Sequence, residues 1–447
     1  MTTRREFLQS SALATAALAG LTACGGSKNR SDATPVPTEP PSAIPAAPIL
    51  VMVNIDGGWD WLSALFPNAG ANLSPYLAAR PTLSAGLLGT DMGGGYALNN
   101  DLLGMVELSQ KGRVFWMPGI GMPNFSLSHF TAGDLWGQGA TVPAGTGWLG
   151  RFADTAFSPS GDVLRGITVT SDRPLMVKGA ARSFVSISNG SGFVYPSYLR
   201  SNKVGSPYDA TILENGWGAS LAAPAPAGLS ATAYQAALTS GKAFYDAQND
   251  PAFGTNNQLP ARTPSVLYPG DTGYTTPGLS RSLSSQLKLI AQMIASGLPG
   301  QIYYARLGGW DTHSNQAADF PRLLGALGGA LRAFYDDLAT ITTPQGNAQD
   351  RVMIMGFSEF GRRVKENDGG TDHGTAGLAF CMGKAVKGGL LDSYPTLGSL
   401  DPNGNMKYNA SADYRSLYAT VLDRWLGQAT TTTNTLLGAS YPRFGFL

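Results

Sequence analysis

Strands alternating with amphipathic helices predict an α/β domain with a largely parallel sheet. Three observations carry that expectation. Four short apolar runs, 49–55, 114–117, 302–307 and 352–357, are rich in β-branched, aromatic or Met residues and read as buried strands. Between them, Leu283, Leu287, Ile290, Met293 and Ile294 repeat at helical spacing, as do Leu323, Leu324, Leu327, Leu331, Phe334 and Leu338. A last helix is predicted over 413–426, with Leu417, Val421 and Trp425 on one face. Three of the four strands also run straight into a glycine-containing loop with acidic or histidine side chains. In open α/β sheets, chemistry gathers in loops beyond the carboxyl ends of the strands.

The composition supports a large core and removes several classes. The chain has 447 residues, 43% hydrophobic, enough for one large domain or two. Charged residues at 14% beside 10% aromatics exclude a disordered chain. The abundance of Gly (57) and Pro (29) predicts long loops. A formal net charge of +1 with no basic stripe excludes an electrostatic nucleic-acid footprint. Two cysteines exclude a disulfide-dense scaffold and a zinc ribbon.

The first residues read as export signals. Thr3-Arg4-Arg5-Glu6-Phe7-Leu8 has the twin-arginine pattern, which implies the twin-arginine translocase as a partner during export. The apolar run 10–21 that follows would reach about 18 Å as a helix, short of a roughly 30 Å hydrocarbon core. It reads as the apolar part of a signal peptide spanning 1–23. Leu21-Thr22-Ala23-Cys24 then resembles a bacterial lipobox, so Cys24 is the expected lipidation site. Gly25 is not the inner-membrane retention residue Asp, which points the anchor toward the outer membrane, facing the periplasm or the cell surface. Residues 24–48, rich in Pro, Ser and Ala, read as a tether. The domain proper is expected over 49–447, and Cys381, in the apolar run 378–382, is expected to be a buried, inert thiol. A Gly/Ser/Pro-rich stretch at about 160–280 lacks helical period and reads as an insertion or cap with short strands.

All three histidines lie in short polar clusters. They are His129 in the Ser126-Leu127-Ser128-His129-Phe130 segment, His313 in Gly309-Trp310-Asp311-Thr312-His313, and His373 in Gly370-Thr371-Asp372-His373-Gly374. Strand 49–55 ends in Asp56-Gly57-Gly58-Trp59-Asp60, and strand 352–357 in Ser358-Glu359-Phe360-Gly361-Arg362-Arg363. Carboxylate with imidazole suits Zn or Mn, while Mg and Ca favour the oxygen-rich subset. Asp56, His129, Asp311, His313, Glu359, Asp372 and His373 are therefore candidate ligands for one or two divalent ions. The plainer alternative is that Asp56 and Asp311 cap turns. Trp59, Trp61, Trp136, Trp148 and Trp310 either stack on a sugar or fill the core.

These motifs, with Thr146-Gly147-Trp148-Leu149-Gly150-Arg151, together resemble the bacterial domain-of-unknown-function 1501 (DUF1501) family from the export signal to the last helix. That family is similar to the alkaline phosphatase and sulfatase superfamily. The resemblance implies an alkaline-phosphatase-like α/β/α sandwich with a mixed, mostly parallel central sheet, and a one- or two-metal site that hydrolyses phosphate or sulfate esters. Carried over in chain order, the first-strand aspartate matches Asp56, and the nucleophile at a helix start matches Ser128, with Ser126 in contention. The Asp and His pair matches Asp311 and His313, the late-strand acid Glu359, and the final His-Gly His373-Gly374. Two departures stand out. Asp311 and His313 are closer in sequence than the superfamily spacing, and Phe360 holds a ligand position with a side chain that has no donor. His129 supplies the missing imidazole, or the second site is weakened or lost. The formylglycine motif Cys-x-Pro-x-Arg is missing, which disfavours a sulfatase of that type.

The expected function is an exported, metal-dependent hydrolase of phosphate esters, sulfate esters being the weaker choice, that uses a serine nucleophile or a metal-activated water. Its substrate would be a small-molecule or polysaccharide ester, with Arg362, Arg363 or Arg151 neutralising the developing anionic charge. The competing expectation is a non-catalytic, lipid-anchored binding or surface-assembly protein that keeps the hydrolase fold with a degenerate metal site.

Overall fold

The four predicted strands lie in one sheet, three of them side by side. The computed structural model describes residues 45–139, 145–157, 163–188, 259–276 and 278–447. The export segment, most of the tether and most of the expected insertion lie outside the described residues.

Among the described residues, the central sheet has eight strands. In chain order they are β1 (Ile49–Ile55), β2 (Val114–Ile120), β3 (Gly166–Thr168), β4 (Val185–Ser186), β5 (Ile302–Leu307), β6 (Val352–Phe357), and then, after the hairpin β7 (Gly361–Glu366) and β8 (Thr371–Gly374), β9 (Gly377–Met382) and β10 (Gly389–Leu390). The spatial order is β10-β2-β9-β6-β1-β5-β3-β4, and β9 alone runs against the others. Val51 sits between Ile354 of β6 and Tyr303 of β5, so β1 is the middle of the sheet. The carboxyl ends of β1, β2, β5 and β6 therefore open at one edge.

Helices cover both faces, the α/β/α sandwich with a mixed, mostly parallel sheet that the sequence predicts. They are α1 (Gly104–Gln110), α2 (His129–Gln138), α3 (Trp148–Ala156), α4 (Ser282–Ala295), α5 (Gln316–Leu338), α6 (Tyr414–Thr420) and α7 (Thr430–Leu437). Val51, Val53, Tyr303 and Ile354 share one core with Leu108 of α1, Leu287 of α4, and Leu327 and Phe334 of α5. Leu50, Met52, Tyr304 and Met355 share the other with Trp136 of α2, Phe152 of α3, Leu417 of α6 and Leu436 of α7. Fully buried aliphatic side chains contribute about 1.5–3 kcal/mol each. The strand β1 is thus held by packing on both faces, which leaves its terminal loop free to adopt costly geometry.

Three boundaries differ from the sequence reading. The second strand continues past Met117 to Ile120 through Pro118, because its neighbour β10 pairs only with Phe115 and Trp116 and so asks no N–H of Pro118. The last helix is α-helical only to Thr420 and then widens into a π turn, in which the Leu426 N–H donates to the Val421 carbonyl. Of the region expected as an insertion or cap, β3 and β4 extend the central sheet itself. Cys381 is buried, and burial pushes its thiol well above the usual range. All five site-proximal tryptophans are buried and fill the core instead of offering a sugar platform. Among the described residues, no helix is long and apolar enough to cross a membrane.

Beneath the loop edge lies a fully buried ion pair. Arg80 donates to both carboxylate oxygens of Asp60, at 2.5 and 2.8 Å, and both side chains are 0% exposed. Its remaining N–H groups reach the carbonyls of Val364 and Arg363 in β7. Removing one partner would leave a buried charge without its counterion. Arg80→Met is therefore expected to lower unfolding stability by about 3–5 kcal/mol, read from urea unfolding followed by tryptophan fluorescence.

Candidate metal centre

The site is assembled from loops at the carboxyl ends of β1, β2, β5 and β6 and from the β7–β8 hairpin. After β1 the chain turns through Gly57 at φ +124° and Gly58 at φ +67°. A Cβ on Gly57 would lie 2.6 Å from the Asp311 amide nitrogen, and one on Gly58 would lie 2.2 Å from the Phe360 ring. Only glycine lets the β1 loop approach its neighbours this closely.

The three histidines converge on Asp311. The Nε2 atoms of His373 and His313 lie 2.9 and 3.0 Å from Asp311 Oδ1 and 3.0 Å from each other. His129 Nε2 lies 3.5 Å from Asp311 Oδ2. His129, Asp311 and His373 each offer a ligand atom within 4.8 Å of the others, a group able to hold a metal ion.

Each imidazole turns its other nitrogen outward to an oxygen. His129 Nδ1 lies 2.7 Å from Glu359 Oε1, which also accepts the Gly57 N–H at 2.9 Å. His373 Nδ1 donates to the Leu127 carbonyl at 2.8 Å, and His313 Nδ1 faces Asp372 Oδ1 at 3.6 Å. A carbonyl can only accept, so the His373 ring carries a hydrogen on Nδ1, and Nε2 is the atom that would take a cation in place of its contact with Asp311. This is the orientation of a metal-binding histidine. The Glu359 hydrogen bond raises the His129 pKa above its ordinary value, against the opposing effect of burial. Burial alone would raise Asp311, but hydrogen bonds from His373 and Arg362 hold its carboxyl well below the usual range.

The sequence-predicted residues separate into groups. Asp311, His313, His373 and His129 meet. Glu359 and Asp372, expected as ligands, sit behind His129 and His313 instead. Asp56 closes β1 beside this cluster, and among the described residues its carboxylate accepts no hydrogen bond. Ser128 precedes α2 with an exposed hydroxyl, between Leu127 and His129, which both touch the cluster. The Ser126 hydroxyl accepts the Ser128 N–H at 3.2 Å and shapes the local turn.

Arg362, expected to neutralise a developing anionic charge, is not free to meet a substrate. It is fully buried and donates to the carbonyls of Gly57, Gly58, Thr371 and Trp310, and to Asp311 Oδ1 at 2.7 Å. Arg151 is spent on the carbonyls of Gln138, Thr146 and Leu436, and Arg363 lies on the outer side of Asp372 at 3.9 Å. Phe360 packs its ring against His129 and His373, at 4.8 and 4.5 Å between centroids, as an apolar wall. Sequence reasoning missed Arg306 on β5, whose charge lowers the Asp56 pKa, and Gln316 beneath the cluster. The one signal for Gln316 was its position at the start of the periodic helix.

Residues 288–443 match the model of the family described as protein of unknown function (DUF1501), in keeping with the motifs read from the sequence. The segment spans Asp311, His313, Glu359 and His373, whereas Asp56 and His129 precede it. No curated protein matches the chain. Among solved structures, it is similar to a candidate sulfatase from Bacteroides thetaiotaomicron VPI-5482, at 10% identity and a TM-score of 0.31, covering 90% of this chain and 76% of that one. A 2-O GAG sulfatase matches with the same TM-score of 0.31, identity of 10% and coverage of 90% and 76%.

Asp56 makes the site pH-sensitive. Burial raises its carboxyl pKa, and the neighbouring Glu359 adds to the rise, against Arg306 and His129. A group with a raised folded pKa contributes stability that is full below its unfolded pKa and is lost as pH rises through the folded value. At neutral pH the ionised Asp56 thus costs stability. Chelator-treated Asp56→Asn is expected to melt higher than wild type at pH 7, with the gain fading as pH falls to about 4, read by calorimetry across pH.

Proposed function

We propose that this chain is a metal-dependent hydrolase of phosphate esters, with sulfate esters the weaker choice. The single observation that supports the reading is the arrangement of the three histidines: every Nε2 points inward to Asp311, and every Nδ1 points outward to an oxygen. Donor atoms 2.9–3.0 Å apart approach the spacing of about 3.3 Å that two ligands adopt on a tetrahedral zinc. His129, Asp311, His313 and His373 would hold the ion, and a set dominated by imidazole favours Zn or Mn over Mg or Ca. A bound divalent cation supplies Lewis-acid polarisation of the ester oxygen and a lowered pKa for an oxygen nucleophile.

The chain's own residues divide the remaining work. Ser128 is the nucleophile we favour over Ser126, because its hydroxyl is exposed at the first turn of α2 while Ser126 is used in the turn. Helix N–H groups there favour negative charge on an attacking oxygen and on the transferred group. Attack forms the Oγ–P bond and breaks the ester P–O bond, the departing alcohol taking up the proton that the serine loses, and water then cleaves the phosphoserine to free phosphate and the original hydroxyl. Glu359 and the Leu127 carbonyl keep His129 and His373 turned inward, and Phe360 shields one side of both rings from water. Arg362 holds Asp311 ionised and aimed. The twin-arginine pattern and Cys24 support a periplasmic or cell-surface location on a lipid anchor, with a small-molecule or polysaccharide ester as substrate.

The reading is tested by elemental analysis of the purified full chain after dialysis against a weak chelator. Near-stoichiometric transition metal is expected in wild type and its loss in Asp311→Ala and His373→Ala. Ser128→Ala is expected to keep the metal and to lose at least about a thousandfold in turnover of phosphate mono- or diesters. Retained metal with no ester consumed by wild type would favour a non-catalytic binding protein, and no retained metal would overturn the metal centre.

A further inference from the structure

Below the histidine cluster, one buried carboxamide touches both segments that supply it. Gln316, the first residue of α5, is fully buried. Its Oε1 accepts the Thr312 hydroxyl at 3.0 Å and the Thr371 hydroxyl at 2.8 Å. Thr312 stands between Asp311 and His313, and Thr371 immediately precedes Asp372 and His373. The Gln316 Nε2 donates to Asp60 Oδ2 at 2.6 Å, and Asp60 is held in turn by Arg80 and by the Ser63 hydroxyl at 2.6 Å.

Backbone bonds join the same two segments. The Gln316 N–H donates to the Gly369 carbonyl at 2.9 Å, and the Thr371 N–H donates to the Thr312 carbonyl at 3.1 Å. Arg80 closes the circuit through the carbonyls of Arg363 and Val364 on the strand that pairs with β8. The chemistry of position 316 is specific: its side chain must accept two hydroxyls on one atom and donate to a carboxylate from the other. A carboxamide does this in one side chain, whereas a carboxylate would be repelled by Asp60 and an apolar chain would leave both hydroxyls without partners and take one donor from Asp60.

We propose that Gln316 is a positioning residue of the metal cluster, which rests on the metal reading above. Acting only through Thr312 and Thr371, its carboxamide holds the Asp311–His313 loop and the His373 strand in the mutual placement that brings their ligand atoms together. Metal sites demand that placement to within about 0.5 Å.

The test titrates Co²⁺ into the chelator-treated full chain and follows its visible ligand-field spectrum, with melting temperature measured in parallel. Thr371→Val and Thr312→Val remove one clamp hydroxyl each and are expected to weaken Co²⁺ binding about 10-fold, and Gln316→Met about 10- to 100-fold. Thr371→Ser keeps the hydroxyl and is expected to bind as wild type does. Ser63→Ala takes a hydrogen bond from the same Asp60 carboxylate without touching either ligand segment, so it is expected to lower the melting temperature and leave Co²⁺ affinity unchanged. Wild-type affinity and spectrum in both threonine-to-valine variants, with lowered melting alone, would overturn the positioning role while the metal centre stands. No Co²⁺ binding by wild type would overturn the metal centre and the clamp with it.

Discussion

Arg362 is the constraint on which the site depends. A guanidinium has five N–H donors in a fixed plane, and burying it without full pairing is costly. Here its donors reach the β1 loop at Gly57 and Gly58, the β5 loop at Trp310 and Asp311, and the neighbouring strand at Thr371. Four of those acceptors are backbone carbonyls, three in loops and one in a strand, which would otherwise need partners of their own. One side chain thus satisfies the polar backbone of two loops and a strand and places the carboxylate on which the histidines converge. A lysine could not take its place, since a compact ammonium has three donors and no planar fork.

The sheet makes this convergence geometrically cheap. Because β1, β5 and β6 are adjacent and parallel, their loops emerge within a few strand spacings of one another, and strands lie about 4.8 Å apart. The strand β2 reaches the same edge because it is separated from β6 by the single antiparallel strand β9. Ser128 and His129 therefore arrive beside residues that lie 180 or more positions away in sequence. Packing on both faces of the sheet holds the strand ends, and the loops need only short polar ties to finish the arrangement.

What could be read from the sequence follows the range of the interactions. The four strands and the two long helices were legible because periodicity is local, as was the setting of each histidine in a short polar cluster. The partners were not legible. Glu359 and Asp372 carry the right chemistry for ligands, and only the fold shows that each lies behind an imidazole. Arg362 looked like a free cation because its acceptors are mostly backbone carbonyls, which every residue has and no motif marks. Phe360 looked like a defect in a ligand position, while in space it packs against two histidine rings. Gln316 sits in a helical pattern that gives no hint of the two threonine hydroxyls beneath the cluster.

Asp56 sets the last relation between stability and chemistry. Most buried polar groups around the site are paired: Asp60 with Arg80, Asp413 with Arg415, Arg362 with its carbonyls and Asp311. Asp56 breaks that pattern, since it is partly buried, lies near another carboxylate, and accepts no hydrogen bond from the described residues. A fold built only for stability would pair such a group or replace it with an amide. A carboxylate left without such a partner at the end of the central strand, within the electrostatic reach of His129, is instead the kind of group that a cation or a proton transfer would use, and its cost is offset by the packing of the sheet beneath it.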